Sequence, residues 1–302
     1  MNKRFRPIFV LALGFVAGGG AVCAEEGDLK ESFIPKYSVG DVYGAWNGEV
    51  DFEDKAGGVN LWEAGAKFSL PVADGEGWRV TAGVNYKVSG LEVTGGGFPG
   101  GDASFDLHRL EVPVDLWLGG EGKWKFWLRL SPGVASDFEE IEGGDFSYSA
   151  LALASYQWTP TVSVAVGGYY SNDLGESRLL PAIGFVWEPN RNWSLALTAP
   201  RVQVAYAPNE DWLFALRAFP NGGGWRVDGE GKNAGKRVDL NYSSVRVGLG
   251  VERRIGGGPA WVYVDGGIRF AQSLEIEGGK GSRYDEDLES GVSVVGGVKL
   301  RF

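Results

Sequence analysis

Arg109 and Glu111 stand two residues apart, Asp115 follows four further on, and Asp265 precedes Arg269 by four. Further cations, Lys67, Arg79, Arg129 and Arg246, sit singly among apolar neighbours. Even spacing places side chains on one face of a β-strand, so these groups would look the same way. Carboxylates such as Glu111 and Asp115 suit general acid–base work in principle. The cations beside them favour ion pairing instead. A lining rich in Arg and Lys offers other chemistry, because rings of such side chains select for anions in a pore. An internal ion-pair network that braces and fills the interior is the competing reading.

Other reactive groups lead nowhere. His108 is the sole histidine. Ser104 shares its phase, but four strand residues separate them by roughly 13 Å, too far for a Ser–His pair. One histidine, and a single cysteine (Cys23) in the leader, supply no zinc set. The acidic groups Asp51, Glu53 and Asp54, Asp137 to Glu142, and Asp285 to Glu289 lack the spacing of a calcium loop. Glycine runs at Gly95–Gly97 and Gly256–Gly258 fall in turns and imply no phosphate loop. The sequence therefore predicts neither an enzyme nor a bound metal or cofactor.

The elements that must position these groups alternate with period two. Trp62, Ala64, Ala66, Phe68 and Leu70 face away from Glu63, Gly65, Lys67 and Ser69. Leu110, Val112, Val114 and Leu116 face away from Arg109, Glu111, Pro113 and Asp115. The pattern recurs to the end of the chain, with Trp and Tyr at strand ends, among them Trp78, Trp124, Trp158, Trp187, Trp193, Tyr206 and Trp212. Aromatic belts of this kind mark a membrane–water interface. Short turns alternate with longer loops, among them Ser89–Ser104, Asn221–Lys236 and Ser273–Glu289, as short periplasmic turns alternate with outer loops in a transmembrane barrel. A soluble β-sandwich also alternates, but it gives no reason for aromatics at strand ends, and twelve tryptophans would be unusual in a soluble domain of this size. The fold expected is all-β, a transmembrane antiparallel up-and-down β-barrel of 12 to 14 strands. The count turns on Trp193 to Tyr206, which Pro200 interrupts: either a short hairpin or one bulged strand.

Lys3, Arg4 and Arg6 precede an apolar run from Pro7 to Val22 that ends at Cys23-Ala24. This has the form of a secretory signal peptide, residues 1–24. Cys23 raises lipidation as an alternative, although Val22 stands where a lipoprotein leader carries a small residue. Residues 25–36 read as a periplasmic N-terminal arm and residues 37–302 as the barrel. The whole chain carries 29 basic and 39 acidic residues, a formal charge of −10. Such an acidic chain is a poor partner for nucleic acid.

The last strand supplies the most specific local feature. Val294, Gly296, Val298, Leu300 and Phe302 alternate with Val295, Gly297, Lys299 and Arg301. This resembles the C-terminal signature of bacterial outer-membrane β-barrel proteins. The resemblance implies a bacterial outer-membrane location, contact with outer-membrane lipid and lipopolysaccharide, and recognition of Phe302 by the barrel-assembly machinery. More loosely, Trp193 to Pro200 and Ala205-Tyr-Ala-Pro208 resemble an uncharacterised outer-membrane barrel family known only as a domain of unknown function. The expected function is a narrow passive channel for small, anionic solutes, or else a structural or surface-interaction barrel whose lumen ion pairs close.

Overall fold

The computed structural model of the protein describes residues 32–35, 38–95, 102–172, 178–198, 201–229, 235–278 and 282–301. The leader and the terminal Phe302 lie outside the described residues, as does most of the expected N-terminal arm. The alternating segments form β1 (Ser38–Asp51), β2 (Gly57–Gly75), β3 (Trp78–Gly95), β4 (Ala103–Glu111), β5 (Val114–Leu118), β6 (Trp124–Ser136), β7 (Phe146–Thr159) and β8 (Val162–Ser171). They continue as β9 (Arg178–Asn190), β10 (Trp193–Thr198), β11 (Arg201–Asn209), β12 (Trp212–Asp228), β13 (Arg237–Arg254), β14 (Ala260–Gly278), β15 (Ser282–Leu288) and β16 (Gly291–Arg301).

Each strand pairs antiparallel with its neighbours, and β1 closes the ring on β16 through pairs such as Val42 with Val298. β4 and β5 are one crossing broken at Val112-Pro113, since both pair with β3. β15 and β16 likewise share β14 as partner. The ring is therefore fourteen strands, and the hairpin around Pro200 joins the wall as β10 and β11. Closure leaves no free sheet edge within most of the wall, as lipid requires.

In the membrane band the alternation is apolar outside and polar inside. Val42, Phe68, Leu130 and Val264 are exposed on the outer surface. Aromatic side chains border this band: Trp78, Trp124, Trp158, Trp187, Trp193 and Trp212 near the short turns, and Trp46, Trp62 and Tyr148 at the other end.

Beyond Trp62 the polarity inverts. On β3, Lys87 and Ser89 face inward, but so do the next inward residues, Leu91 and Val93, while Glu92 and Thr94 are exposed. On β4, Ala103, Phe105 and Leu107 are buried between exposed Ser104 and Asp106. This inversion marks where the wall leaves lipid for water. The long loops expected at Ser89–Ser104, Asn221–Lys236 and Ser273–Glu289 are thus largely strand, because the outer end folds around its own apolar core. A bulge sets the phase of β14. Ala271 has φ 48°, register slips between Ser243 and Val245, and Leu274 and Ile276 consequently turn inward.

Candidate functional site: the barrel interior

Three layers of side chains fill the interior. The outer layer is apolar: Phe52, Leu61, Leu91, Phe105, Leu107, Trp225, Leu240, Leu274, Ile276 and Leu288 belong to one buried cluster. β12 makes this closure possible. Its pairing with β11 ends at Ala218 opposite Val202, but it continues to Asp228 along β13. Its upper half leans across the barrel until Arg226 pairs in parallel with Ser136 of β6. The bend falls at Gly222, whose φ of 142° disfavours any L side chain, and a Cβ there would lie 2.1 Å from the Tyr242 carbonyl oxygen. The crossing brings Trp225 over Lys87 (5.0 Å) and Arg109 (5.6 Å).

A strap between β6 and β7 pins this crossing from outside. Arg237 bonds Asp137 at 2.7 Å, and Asp145 and Asp228 at 3.2 Å each. Burial lowers the Arg237 value, but the hydrogen bonds to Asp137 and Asp228 and the charges of Asp137 and Asp145 outweigh it and hold the guanidinium above its usual range. Burial raises Asp239 above the ordinary carboxylate range, and Glu277 adds to the effect.

The middle layer is charged, and it contains most of the residues expected to line the lumen. Arg109 reaches Glu111 at 3.5 Å and donates to the Gly224 carbonyl at 2.7 Å. Lys87 pairs with Glu63 at 2.9 Å. Asp265 joins Arg246 at 2.5 Å and Arg217 at 3.1 Å. Arg246 also donates to Ser293 at 2.7 Å. Arg269 is buried and donates to the Tyr242 hydroxyl. Fully buried Glu252 collects three cations: Arg217 at 2.6 Å, Arg301 at 2.9 Å and Lys299 at 3.1 Å. Asp115 accepts from Arg129 and from the Trp127 indole, both at 2.6 Å, and Trp127 stacks on Trp117 at 4.5 Å. Lys67 lies over the Tyr43 ring at 5.6 Å. Arg79 instead sits exposed at the rim by the short turns.

The third layer closes the mouth beside the short turns. Ile34, from the segment expected to be a periplasmic arm, packs with Ala205, Ala207, Leu213, Ala215 and Trp261. Phe33 donates its backbone N–H to the Arg191 carbonyl at 2.9 Å, and the Arg191 guanidinium covers its ring at 3.5 Å.

Two charged lumen residues are absent from the set that the sequence singles out. Arg201 lies over Phe219 at 5.0 Å, and Asp41 accepts from the Tyr263 hydroxyl at 3.0 Å. Arg201 was hidden by the neighbouring Pro200, and Asp41 by the weak alternation of Gly40 to Gly44. Tracing phase from the partner strands would have found both. His108 faces outward, bonded to Tyr86 at 2.8 Å and stacked on Phe138 at 5.1 Å. Among the described residues, no cluster of three or more His, Cys, Asp or Glu could hold a metal ion.

Residues 120–301 match a domain of unknown function, DUF6268. No curated protein matches the chain. Similar solved structures include a deltaS2 mutant of the TodX monoaromatic hydrocarbon channel, at 12% identity and TM-score 0.46 over 87% of this chain and 89% of that one. The NanC porin is 12% identical, with TM-score 0.38 over 87% and 100%. The β domain of the Bordetella autotransporter BrkA is also 12% identical, with TM-score 0.36 over 88% and 100%.

Proposed function

Since the chain belongs to the DUF6268 family, whose function is unknown, we propose from its interior that it is an outer-membrane channel, passive and narrow, that favours small anions. One observation carries this reading: the interior is packed unevenly. Against β13–β16, Arg246, Glu252, Asp265, Arg269 and Ser293 are buried in closed networks. Against β8–β11 many inward residues are small or short, Ser163, Ala165, Ala196 and Gln203 among them, and remain partly exposed, while on β7 and β8 Leu151, Leu153 and Tyr169 pack with Trp117 and Trp127. In this reading the conducting path runs off the axis along that half of the wall. Lys67, Arg129 and Arg201 reach that side of the lumen together with Asp41, Glu111 and Asp115, and in this reading the cations select for anions. Residues 1–24 serve as the export signal in this reading. Phe302 guides assembly, and the exposed band meets lipid and lipopolysaccharide.

The outer apolar layer favours a second reading, a structural or surface-interaction barrel with a shut lumen. Planar-bilayer recording of the refolded protein separates them. The channel reading expects discrete steps and an anion-directed reversal potential in a salt gradient. A silent membrane at every voltage selects the closed barrel.

A further inference from the structure

We propose that the lumen wall made by β3, β5 and β6 binds aromatic anions, flat rings that carry a carboxylate or sulfonate, at its short-turn end. The inference rests on the channel reading above and names the class of anion.

The site starts from one partly buried indole. Trp117 is paired across the strands with Trp127 of β6 and with Arg79 of β3. Side chains opposite one another share a face, and this face is the lumen, where Asp115 accepts the Trp127 N–H and Arg129 lies over the Trp127 ring at 5.0 Å. The two indoles stack at 4.5 Å, 7° from parallel. Trp127 is therefore anchored, and it anchors Trp117.

A flat ring has two faces, and this stack uses one face of Trp117. The other turns toward β3. Among the described residues no second ring and no cation covers it, and its indole N–H has no hydrogen-bond partner. An indole N–H in a packed setting usually finds one. Trp117 is only partly buried, so a ligand reaches both the open face and the donor.

The positive charge beside this ring is not engaged. Arg79 is exposed and Lys125 partly exposed, both in phase with the lumen. Among the described residues neither enters an ion pair, whereas Arg129, Arg217 and Arg246 are bonded to Asp115, Glu252 and Asp265. Asp74, the cross-strand neighbour of Arg79 at the rim, is exposed and not bonded to it. Cross-strand partners lie about 5 Å apart at Cβ, so a ring seated on Trp117 carries its anionic group within reach of Arg79. Gly119 follows on the same face, and a Cβ there would lie 3.1 Å from Lys125 Cγ. Glycine thus makes room for Lys125 near the indole.

The segment that closes this mouth packs on the other side of the ring. Ile34 rests on β11, β12 and β14, and β12 stands across the ring from β5. An open indole face, an N–H donor and two unpaired cations match a flat ring with an anionic edge. A bare inorganic anion would use only the cations, and a neutral ring only the face.

Three probes test this: 2-naphthalenesulfonate, methanesulfonate, which lacks the ring, and 2-naphthylmethylammonium, which reverses the charge. Calorimetric titration of the refolded mature protein in detergent reads their affinities, with empty micelles as reference. 2-Naphthalenesulfonate should saturate one site and bind more tightly than either of the others. Trp117→Ala should weaken it by about two- to tenfold, and Trp117→Phe, which keeps a ring, by less. The double variant R79Q/K125Q should also weaken it, without touching the stack. Heat-modifiable gel mobility identifies the variants that fold, and if Trp117→Ala does not, R79Q/K125Q and Trp117→Phe decide. Equal binding of 2-naphthylmethylammonium, or an affinity unchanged in R79Q/K125Q, would overturn the site. Single-channel chloride steps without saturable 2-naphthalenesulfonate binding would overturn the site and leave the channel standing. Saturable binding by a protein that passes no current would overturn the channel and leave the site.

Discussion

Glu252 is the residue on which the charged layer depends most. It is fully buried on β13 and holds Arg217 of β12 together with Lys299 and Arg301 of β16. Removing one partner of a buried network leaves the others uncompensated, at about 3–5 kcal/mol. Glu252→Gln should therefore lower the temperature at which the barrel loses its heat-modifiable gel mobility. An unchanged transition would mean that water already solvates these cations. Arg129 has a different place. It is partly exposed while bonded to buried Asp115. Arg129→Gln removes one unit charge, worth about 1 kcal/mol at 4 Å in water. Anion-over-cation permeability should fall by roughly two- to fivefold, as read from the reversal potential. Most of these residues were legible beforehand, because Lys67, Arg109, Asp115, Arg129, Asp265 and Arg269 keep strict phase with apolar partners. Their pairing across strands was not, since register fixes which charges meet.

At the scale of elements, β12 and the segment Ser32–Pro35 close the two ends. Trp225 is the largest side chain that β12 contributes to the outer core. Trp225→Ala should cost about 3–5 kcal/mol and loosen the seal, so single-channel conductance should rise. Unaltered conductance would show that the outer core does not obstruct flow. At the other mouth, Ile34→Asp puts a charge among Ala205, Leu213 and Trp261. That should release the segment and raise conductance, without altering the gel mobility of the barrel. These closures were hard to read from sequence for one reason. Above the membrane the inward face becomes apolar and the outward face polar, so Leu91, Val93, Leu274 and Ile276 look like loop residues next to glycine-rich turns. The slip at Ala271 hides the last two further. Pro200 did announce the short hairpin, but only pairing with β9 and β12 shows that it belongs to the wall.

The whole molecule is a two-stage barrel. A fourteen-strand ring spans the apolar band, and a narrower outer stage, from which β7–β11 are missing, is packed like a soluble core. Its girdles of tryptophan and its apolar exterior were plain in the sequence because the bilayer imposes them on every strand. The central claim concerns what lies between the two closures: a conducting path beside β8–β11 that favours anions. Single-channel recording of the refolded full-length mature protein in a potassium chloride gradient tests it most directly. The account predicts discrete steps whose reversal potential has the sign of chloride flow. A membrane without steps at any voltage, or a reversal of potassium sign, would contradict it.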